Sequence, residues 1–280
     1  MNPRVAPWAL SASPTDPRLK PRWLPIYHRR TPYNEDEVVH LIHEIVRHYV
    51  RLCALDENEV IWPPEGGHAL DEALCDELNV SQAARSLIRR LPYPITDVFF
   101  FGSSNLFYIL DDFGLRQSRE CWSSALDDDD LILPRDVQLA AGDRESSRIF
   151  LDTQENTIRV AQPVDSPEEV NPLGTNMERP DEPDHYRNFW PRHAPSWLRV
   201  QLNKIKALDT IPAWDTALGG WYCNFEEEWL RRKVKHTLEG TYGWPDDFQQ
   251  DAWNRDRERV WEEAVREYEG VGRPKELFFQ

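Results

Sequence analysis

The sequence predicts an α+β fold, with N-terminal helices packed on an antiparallel β-meander and a tryptophan-rich helical subdomain after it. Three observations support this prediction. The segment after residue 33 has helical apolar periodicity with capping residues. Short β-branched and aromatic runs follow it up to residue 161, without long helices between them. Eight of the twelve tryptophans then lie from Trp190 to Trp261.

The first helices are predicted from their caps. "NEDEVVHLIHEIVRHYVRLCAL" begins at Asn34, a favoured N-cap residue, and Glu37 stands three residues on, as in a capping box. "ALDEALCDELNV" and "SQAARSLIRRL" predict two shorter helices, the second capped by Ser81 and ended before Pro92.

The strands are predicted from aromatic and β-branched runs. "TDVFFF" and "LFYIL" are separated by "GSSN" and predict a hairpin. "DLILP", "DVQLAAG", "SRIFLDT" and "TIRVAQ" predict further short strands, the last two joined across "QEN". This close spacing favours an antiparallel meander of about four to six strands over βαβ units.

Composition divides the chain into four predicted segments. Residues 1–33 form a basic, proline-rich extended arm, and residues 34–161 form the α+β core. Residues 162–184 are an acidic, proline-rich linker or disordered loop, and residues 185–280 are the helical, tryptophan-rich subdomain. Its helices are predicted in "PSWLRVQLNKIKAL", in "FEEEWLRRKVKHTLEG" ending on Gly240, and in "DDFQQDAWNRDRERVWEEAVREYEG" ending on Gly270.

Charge and composition exclude several classes of function. The formal charge is −16, and an acidic surface repels phosphate backbones, so we expect no DNA binding. No apolar run of membrane-spanning length occurs, so no membrane association is expected. The four cysteines are scattered without a CxxC pair, which is typical of reduced thiols in a cytosolic or nuclear protein, and we expect the cytoplasm. No cofactor is predicted.

The histidines of the first helix are the obvious metal candidates. Helical rotation places His40 on the polar side and His43 and His48 at the edges of the apolar side. A zinc site needs a third ligand, and no third ligand follows at a known spacing. We therefore predict no metal and expect these side chains to be solvated or to face the basic arm.

Other polar clusters carry no recognisable catalytic motif, so catalytic residues stay unknown. The aspartates of "LDDFG" and "ALDDDDL" stand at predicted element ends, where solvated turn carboxylates are common. The chain has no GxSxG, P-loop or GxGxxG sequence, and its "DFG" lacks the other kinase motifs.

The strongest candidate binding segment is "HYRNFWPRH", where aromatic and basic residues alternate directly after the acidic linker. Trp190 would supply stacking area, and nearby basic residues would donate to an anionic or carbonyl group. The alternative is that these aromatics belong to the core. The predicted ligand-binding residues are Trp190, Arg187, Arg192 and His193, with Arg144 and Glu145 on the rim and His28, Arg29 and Arg30 from the arm.

A family resemblance rests on the middle of the chain. "LPYP" after a short helix, the hairpin, "DVQLAAG" and "SRIFLDTQENTIRV" together resemble the SUKH superfamily over about residues 70–162. The family's glycine-rich step appears here as "AGDRES". The resemblance implies a non-enzymatic α+β module, such as the toxin-immunity proteins of bacteria and the cell-wall-signalling scaffolds of fungi. It also implies a protein or small-molecule partner.

A second hypothesis comes from another functional class. The chain as a whole is similar to tryptophan- and proline-rich proteins of filamentous fungi, among which biosynthetic enzymes occur. One such group, the arginine-containing cyclodipeptide synthases, uses aminoacyl-tRNA. The basic arm, "RRLPY" and "HYRNFWPRH" favour this hypothesis, whereas the acidic body opposes it. Whether the chain is an enzyme therefore stays open.

Overall fold

A computed structural model describes residues 31–96, 98, 100–101, 104–120, 131–141, 146–161, 178–179, 185–212 and 228–270. Most of the predicted arm and linker lie outside these ranges. The chain forms two compact units, the first of residues 1–46 and 57–202 and the second of residues 47–56 and 203–280.

The predicted α+β class is confirmed by the order of the elements. The helices are α1 (Glu35–Arg51), α2 (Glu72–Glu77), α3 (Gln82–Arg90), α4 (Asp112–Gln117), α5 (Ala194–Lys206), α6 (Glu228–Tyr242) and α7 (Gln250–Gly270). The strands are β1 (Val60–Ile61), β2 (Tyr93–Pro94), β3 (Asn105–Leu106), β4 (Asp136–Ala141), β5 (Arg148–Asp152), β6 (Thr157–Ala161) and β7 (Arg192–His193). Single 3-10 turns lie at Glu57–Glu59 and Tyr186–Asn188.

The helix caps follow the sequence closely. The side chain of Asn34 accepts the Glu37 N–H at 3.3 Å, and that of Ser81 accepts the Ala84 N–H at 3.2 Å. One predicted end is wrong, because α6 continues past Gly240 to Tyr242. Gly243 follows with φ +72°, and a Cβ there would lie 2.4 Å from the Asp247 carbonyl oxygen, so only glycine fits this turn.

The main sheet is an antiparallel meander in chain order, β3-β4-β5-β6-β7. The hairpin predicted before this sheet differs in the structure, because β3 pairs with Ala140 and Ala141 of β4 and not with the described residues of 96–101. Those residues of 96–101 that the structure describes lie outside strands. Phe101 instead packs its ring 5.1 Å from that of Trp197, so its aromatic side chain serves the core.

The last strand of the meander comes from a segment that the sequence assigned to the helical subdomain. Thr157 pairs with His193 and Ile158 pairs with Arg192, so β7 completes the sheet beside β6. The first unit extends to residue 202 and therefore includes β7. A strand of two residues is too short to show an alternating pattern in the sequence, so β7 is recognised only by its pairing with β6.

The three histidines of α1 differ in environment. His40 is exposed, as expected. His43 Nε2 lies 2.8 Å from the Arg90 carbonyl oxygen, and its ring packs 5.5 Å from that of Trp62. His48 is buried edge-on against the Trp244 ring at 5.6 Å. The expectation of a solvated side chain is therefore wrong for His48, whereas His43 is partly buried.

The second unit is built around aromatic side chains. Trp253 is 1% exposed, and its indole N–H donates to the Leu52 carbonyl oxygen at 3.2 Å. The rings of Tyr242 and Phe248 flank it at 5.2 and 6.5 Å. The Trp244 indole likewise donates to the Lys206 carbonyl oxygen at 2.9 Å. These tryptophans are core residues. Among the helices in the described ranges, none has both the length and the apolar character needed to cross a membrane.

Candidate functional site: an ionic layer on the meander

One face of strands β4, β5 and β6 carries charged and polar side chains that water does not reach. Successive side chains of a strand point to opposite faces of the sheet. Residues two apart in one strand therefore lie on the same face, together with their partners on the neighbouring strands. Two cross-strand rows follow from the register. They are Asp136, Asp152 and Thr157 in the first row and Gln138, Phe150 and Arg159 in the second. All of these side chains are buried.

The segment 185–190 covers this face. The His185 imidazole caps its 3-10 turn by accepting the Arg187 N–H on Nδ1 at 3.1 Å. The ring of Tyr186 packs 4.4 Å from that of Phe150, and its hydroxyl donates to Asp136 at 2.6 Å. This anchoring positions Arg187 over the two strand aspartates. We call Asp136, Asp152, Arg159 and Arg187 the ionic layer.

Arg187 connects three carboxylates. Its Nη1 donates to Asp152 at 2.8 Å and to Asp136 at 3.2 Å, and its Nε donates to Glu178 at 2.8 Å. Burial alone would lower the pKa of Arg187, but the three carboxylates raise it above the ordinary value. The guanidinium is therefore permanently charged.

The two aspartates have opposite pKa shifts although they share Arg187. Burial raises the pKa of Asp136, and the charge of Arg187 offsets this only in part. Burial also acts to raise the pKa of Asp152, but hydrogen bonds from Arg187, the Glu155 N–H and Arg135 outweigh it. The pKa of Asp152 therefore lies below its ordinary value, so Asp152 holds the firmer negative charge.

Arg159 stands in the middle of β6 and is 1% exposed. Its Nη2 donates to Glu178, its Nη1 to the Thr157 hydroxyl at 3.3 Å, and its Nε to the Arg187 carbonyl oxygen at 3.3 Å. Burial and the nearby charge of Arg187 lower the pKa of Arg159. A charged arginine so deeply buried needs an anion beside it, and Glu178 supplies that anion.

Arg119 adds a third buried cation next to the layer. Its guanidinium donates to the carbonyl oxygens of Asp136 at 2.6 Å and Ile132 at 2.7 Å, not to a carboxylate. Burial lowers the pKa of Arg119 to about 10. This region thus contains three buried arginines but only two buried aspartates.

The predicted binding residues separate in the structure. Arg187 belongs to the ionic layer, whereas Trp190 is 8% exposed and is one of the buried apolar residues of the first unit. Arg192 and His193 are the two residues of β7. Arg144, Glu145, His28, Arg29 and Arg30 lie outside the described residues. Of the predicted residues that are described, only Arg187 enters the ionic layer.

His193 forms a second, smaller polar group at the start of α5. Its Nε2 lies 2.7 Å from the Thr31 hydroxyl and its Nδ1 lies 2.8 Å from the Ser196 hydroxyl. Burial lowers the pKa of His193, with Glu37 opposing and Arg199 assisting this shift. A neutral imidazole between two hydroxyls accepts a hydrogen bond from one and donates a hydrogen bond to the other, which orders the entry to α5.

Replacing His193 by glutamine should change how stability depends on pH. Because the pKa of His193 is lowered by folding, the unfolded chain binds more protons below about pH 6.5, and wild-type stability falls as the pH drops. A single group contributes at most about 1.4 kcal/mol per pH unit. Urea unfolding between pH 7.5 and 5 should show a smaller loss for His193→Gln than for wild type. An identical loss would contradict this assignment.

The sequence reasoning missed the partners of Arg187. Asp136, Asp152 and Arg159 stand at the start of β4, the end of β5 and the middle of β6. One signal was present, because Arg159 lies between Ile158 and Val160 in a strand whose other residues are apolar or threonine and alanine. A lone arginine in such a strand indicates a buried ion pair or a covering segment.

The site favours charge pairing over chemistry. Its carboxylates are engaged by arginines or by Tyr186, and within the described part of the chain no group of three His, Cys, Asp or Glu side chains is placed to hold a metal. Comparison with protein-family models, curated proteins and solved structures found no match to this chain.

Proposed function

We propose that the chain is a SUKH-like, cytoplasmic binding protein that acts without catalysis. Two features support this proposal. Helices precede an antiparallel meander, as the family resemblance implies. Among the described residues, the charges of the ionic layer are paired with one another and with Glu178.

The burial of the ionic layer carries the proposal. Asp136, Asp152 and Arg187 are each 3% exposed or less, whereas a general acid or base must reach a substrate within hydrogen-bond distance. The layer is therefore a poor place for general acid or base catalysis, and a protein partner would bind elsewhere on the first unit. The most exposed large apolar side chain among the described residues is Phe113 of α4, at 73%.

A protein partner that uses α4 should depend on Phe113. The purified chain is immobilised and exposed to extract of its source, with Phe113→Asp as the test variant. Gln117→Asp is the matched control, because it adds the same charge at another exposed position of the same helix. We expect wild type and Gln117→Asp to retain the same protein in similar amounts. Phe113→Asp should retain at least about tenfold less of it.

The same columns test the enzymatic alternative. Retention of tRNA at low salt, unaffected by Phe113→Asp, would contradict the proposal and favour an aminoacyl-tRNA-dependent enzyme. Retention of one protein by all three columns would contradict the role of Phe113.

A further inference from the structure

The Glu178 carboxylate lies between two buried guanidinium groups. One oxygen accepts from Arg187 Nε at 2.8 Å, and the other accepts from Arg159 Nη2. Each arginine side chain is 2% exposed, whereas the Glu178 side chain is 44% exposed. The donors are therefore interior and fixed, while the carboxylate that fills the site reaches solvent.

The two arginines are held in place by contacts other than Glu178. Arg187 is fixed by Asp136 and Asp152, and Arg159 is fixed by the Thr157 hydroxyl and the Arg187 carbonyl oxygen. Removing the Glu178 carboxylate would therefore leave the donors aimed at the same point. A site whose donors are already ordered binds its ligand without the cost of organising them.

Charge makes an anion necessary at this point. Glu178 is the carboxylate that forms an ion pair with Arg159 among the described residues, and Arg119 is bound only to carbonyl oxygens. An uncompensated guanidinium in the interior is strongly destabilising. The position therefore attracts a carboxylate, whose two oxygens match one donor from each arginine.

We propose that Arg159 and Arg187 form a binding site for an external carboxylate, and that Glu178 occupies it as a competing internal ligand. Asn188 places this internal ligand, since its side chain exchanges two hydrogen bonds of 2.9 Å with the backbone of Arg179. The site does not depend on the proposed protein partner, and a small carboxylate tests it alone.

The test uses Glu178→Ala and formate. The full chain is unfolded in urea at constant ionic strength while formate replaces chloride. We expect the midpoint of Glu178→Ala to rise saturably with formate, because the ligand binds the folded state. Wild type should shift less at every concentration, because Glu178 competes. A linear response without saturation in the variant would overturn the proposal.

Two further arms identify the site and the ligand. Glu77→Ala is the matched control, because Glu77 also binds through both oxygens but to Arg116, and both side chains are at least half exposed. It should respond to formate no more than to chloride. Phosphate replaces formate in the last arm, and a larger stabilisation by phosphate would overturn the assignment of a carboxylate.

Glu178→Gln covers the case in which Glu178→Ala does not fold. Glutamine preserves the shape of the side chain but removes its charge, so Arg159 still lacks an anion. The same saturable, formate-specific rise is expected with a smaller amplitude. Absence of that rise in the glutamine variant would refute the site.

Discussion

Replacing Arg187 by methionine is expected to lower the free energy of unfolding by about 3–5 kcal/mol, the usual cost of breaking a buried ion pair from one side. Methionine fills a similar space but leaves Asp136 buried without its cation and leaves Asp152 with only the partly exposed Arg135. Urea unfolding at pH 7, followed by far-UV circular dichroism, measures the loss. It should be smaller near pH 4, because the pKa of Asp136 is already raised and its carboxyl then neutralises readily.

Arg135→Met is the matched control for this prediction. Arg135 pairs with the same Asp152 carboxylate at 3.2 Å, but its side chain is 32% exposed. A partly solvated pair of this kind is expected to contribute about 0–1 kcal/mol. Equal losses for the two variants would show that burial of Arg187 does not determine the energetics of the ionic layer.

Replacing Trp253 by alanine should destabilise the second unit by about 3–5 kcal/mol, the usual cost of removing a large aromatic side chain from a core. The change opens a cavity between Tyr242 and Phe248 and leaves the Leu52 carbonyl oxygen without its indole donor. Hydrogen exchange of the α7 amides, read by mass spectrometry, reports this unit separately from the first.

Trp261→Ala is the control on the same helix. Trp261 is only partly buried, so its removal leaves less of a cavity. We expect its α7 amides to exchange much more slowly than those of Trp253→Ala. If both variants exchange alike, the aromatic packing around Trp253 is not what holds the helix.

The helices and central strands were predictable because local chemistry determines them. Asn34 and Ser81 cap α1 and α3 whatever the rest of the fold does. The strands β4, β5 and β6 are short, mostly apolar runs that each contain β-branched residues, and their burial is nearly complete. Gly240 misled the prediction of the α6 end, because a glycine ends a helix only where the backbone must turn, which here is Gly243.

The ionic layer was not predictable by the same reasoning. Only Arg159, between apolar neighbours, gave a local signal of burial. Asp136 and Asp152 stand at strand ends, where charged residues are commonly solvated, and the covering segment 185–190 makes their face interior. Pairing between residues so distant along the chain depends on the strand register. Local sequence patterns do not contain that register. Arg187 was predicted as a binding residue because aromatic residues surround it in the sequence. Its position in the structure is instead determined by its ion pairs with Asp136 on β4 and Asp152 on β5.

The connection between β6 and β7 has a consequence for the order of folding. Strands β4, β5 and β6 follow one another closely, whereas β7 returns from residue 192 to pair with residues 157 and 158. Closing a longer loop costs more chain entropy, so the three local strands should pair before β7 docks. Arg187 reaches the two aspartates only in that last step, so until then Asp136 lacks its cation and Asp152 has only Arg135. Pulse-labelled hydrogen exchange during refolding should therefore protect the Leu151 and Arg159 amides before those of β7. Simultaneous protection would mean that charge neutralisation and sheet formation are one event.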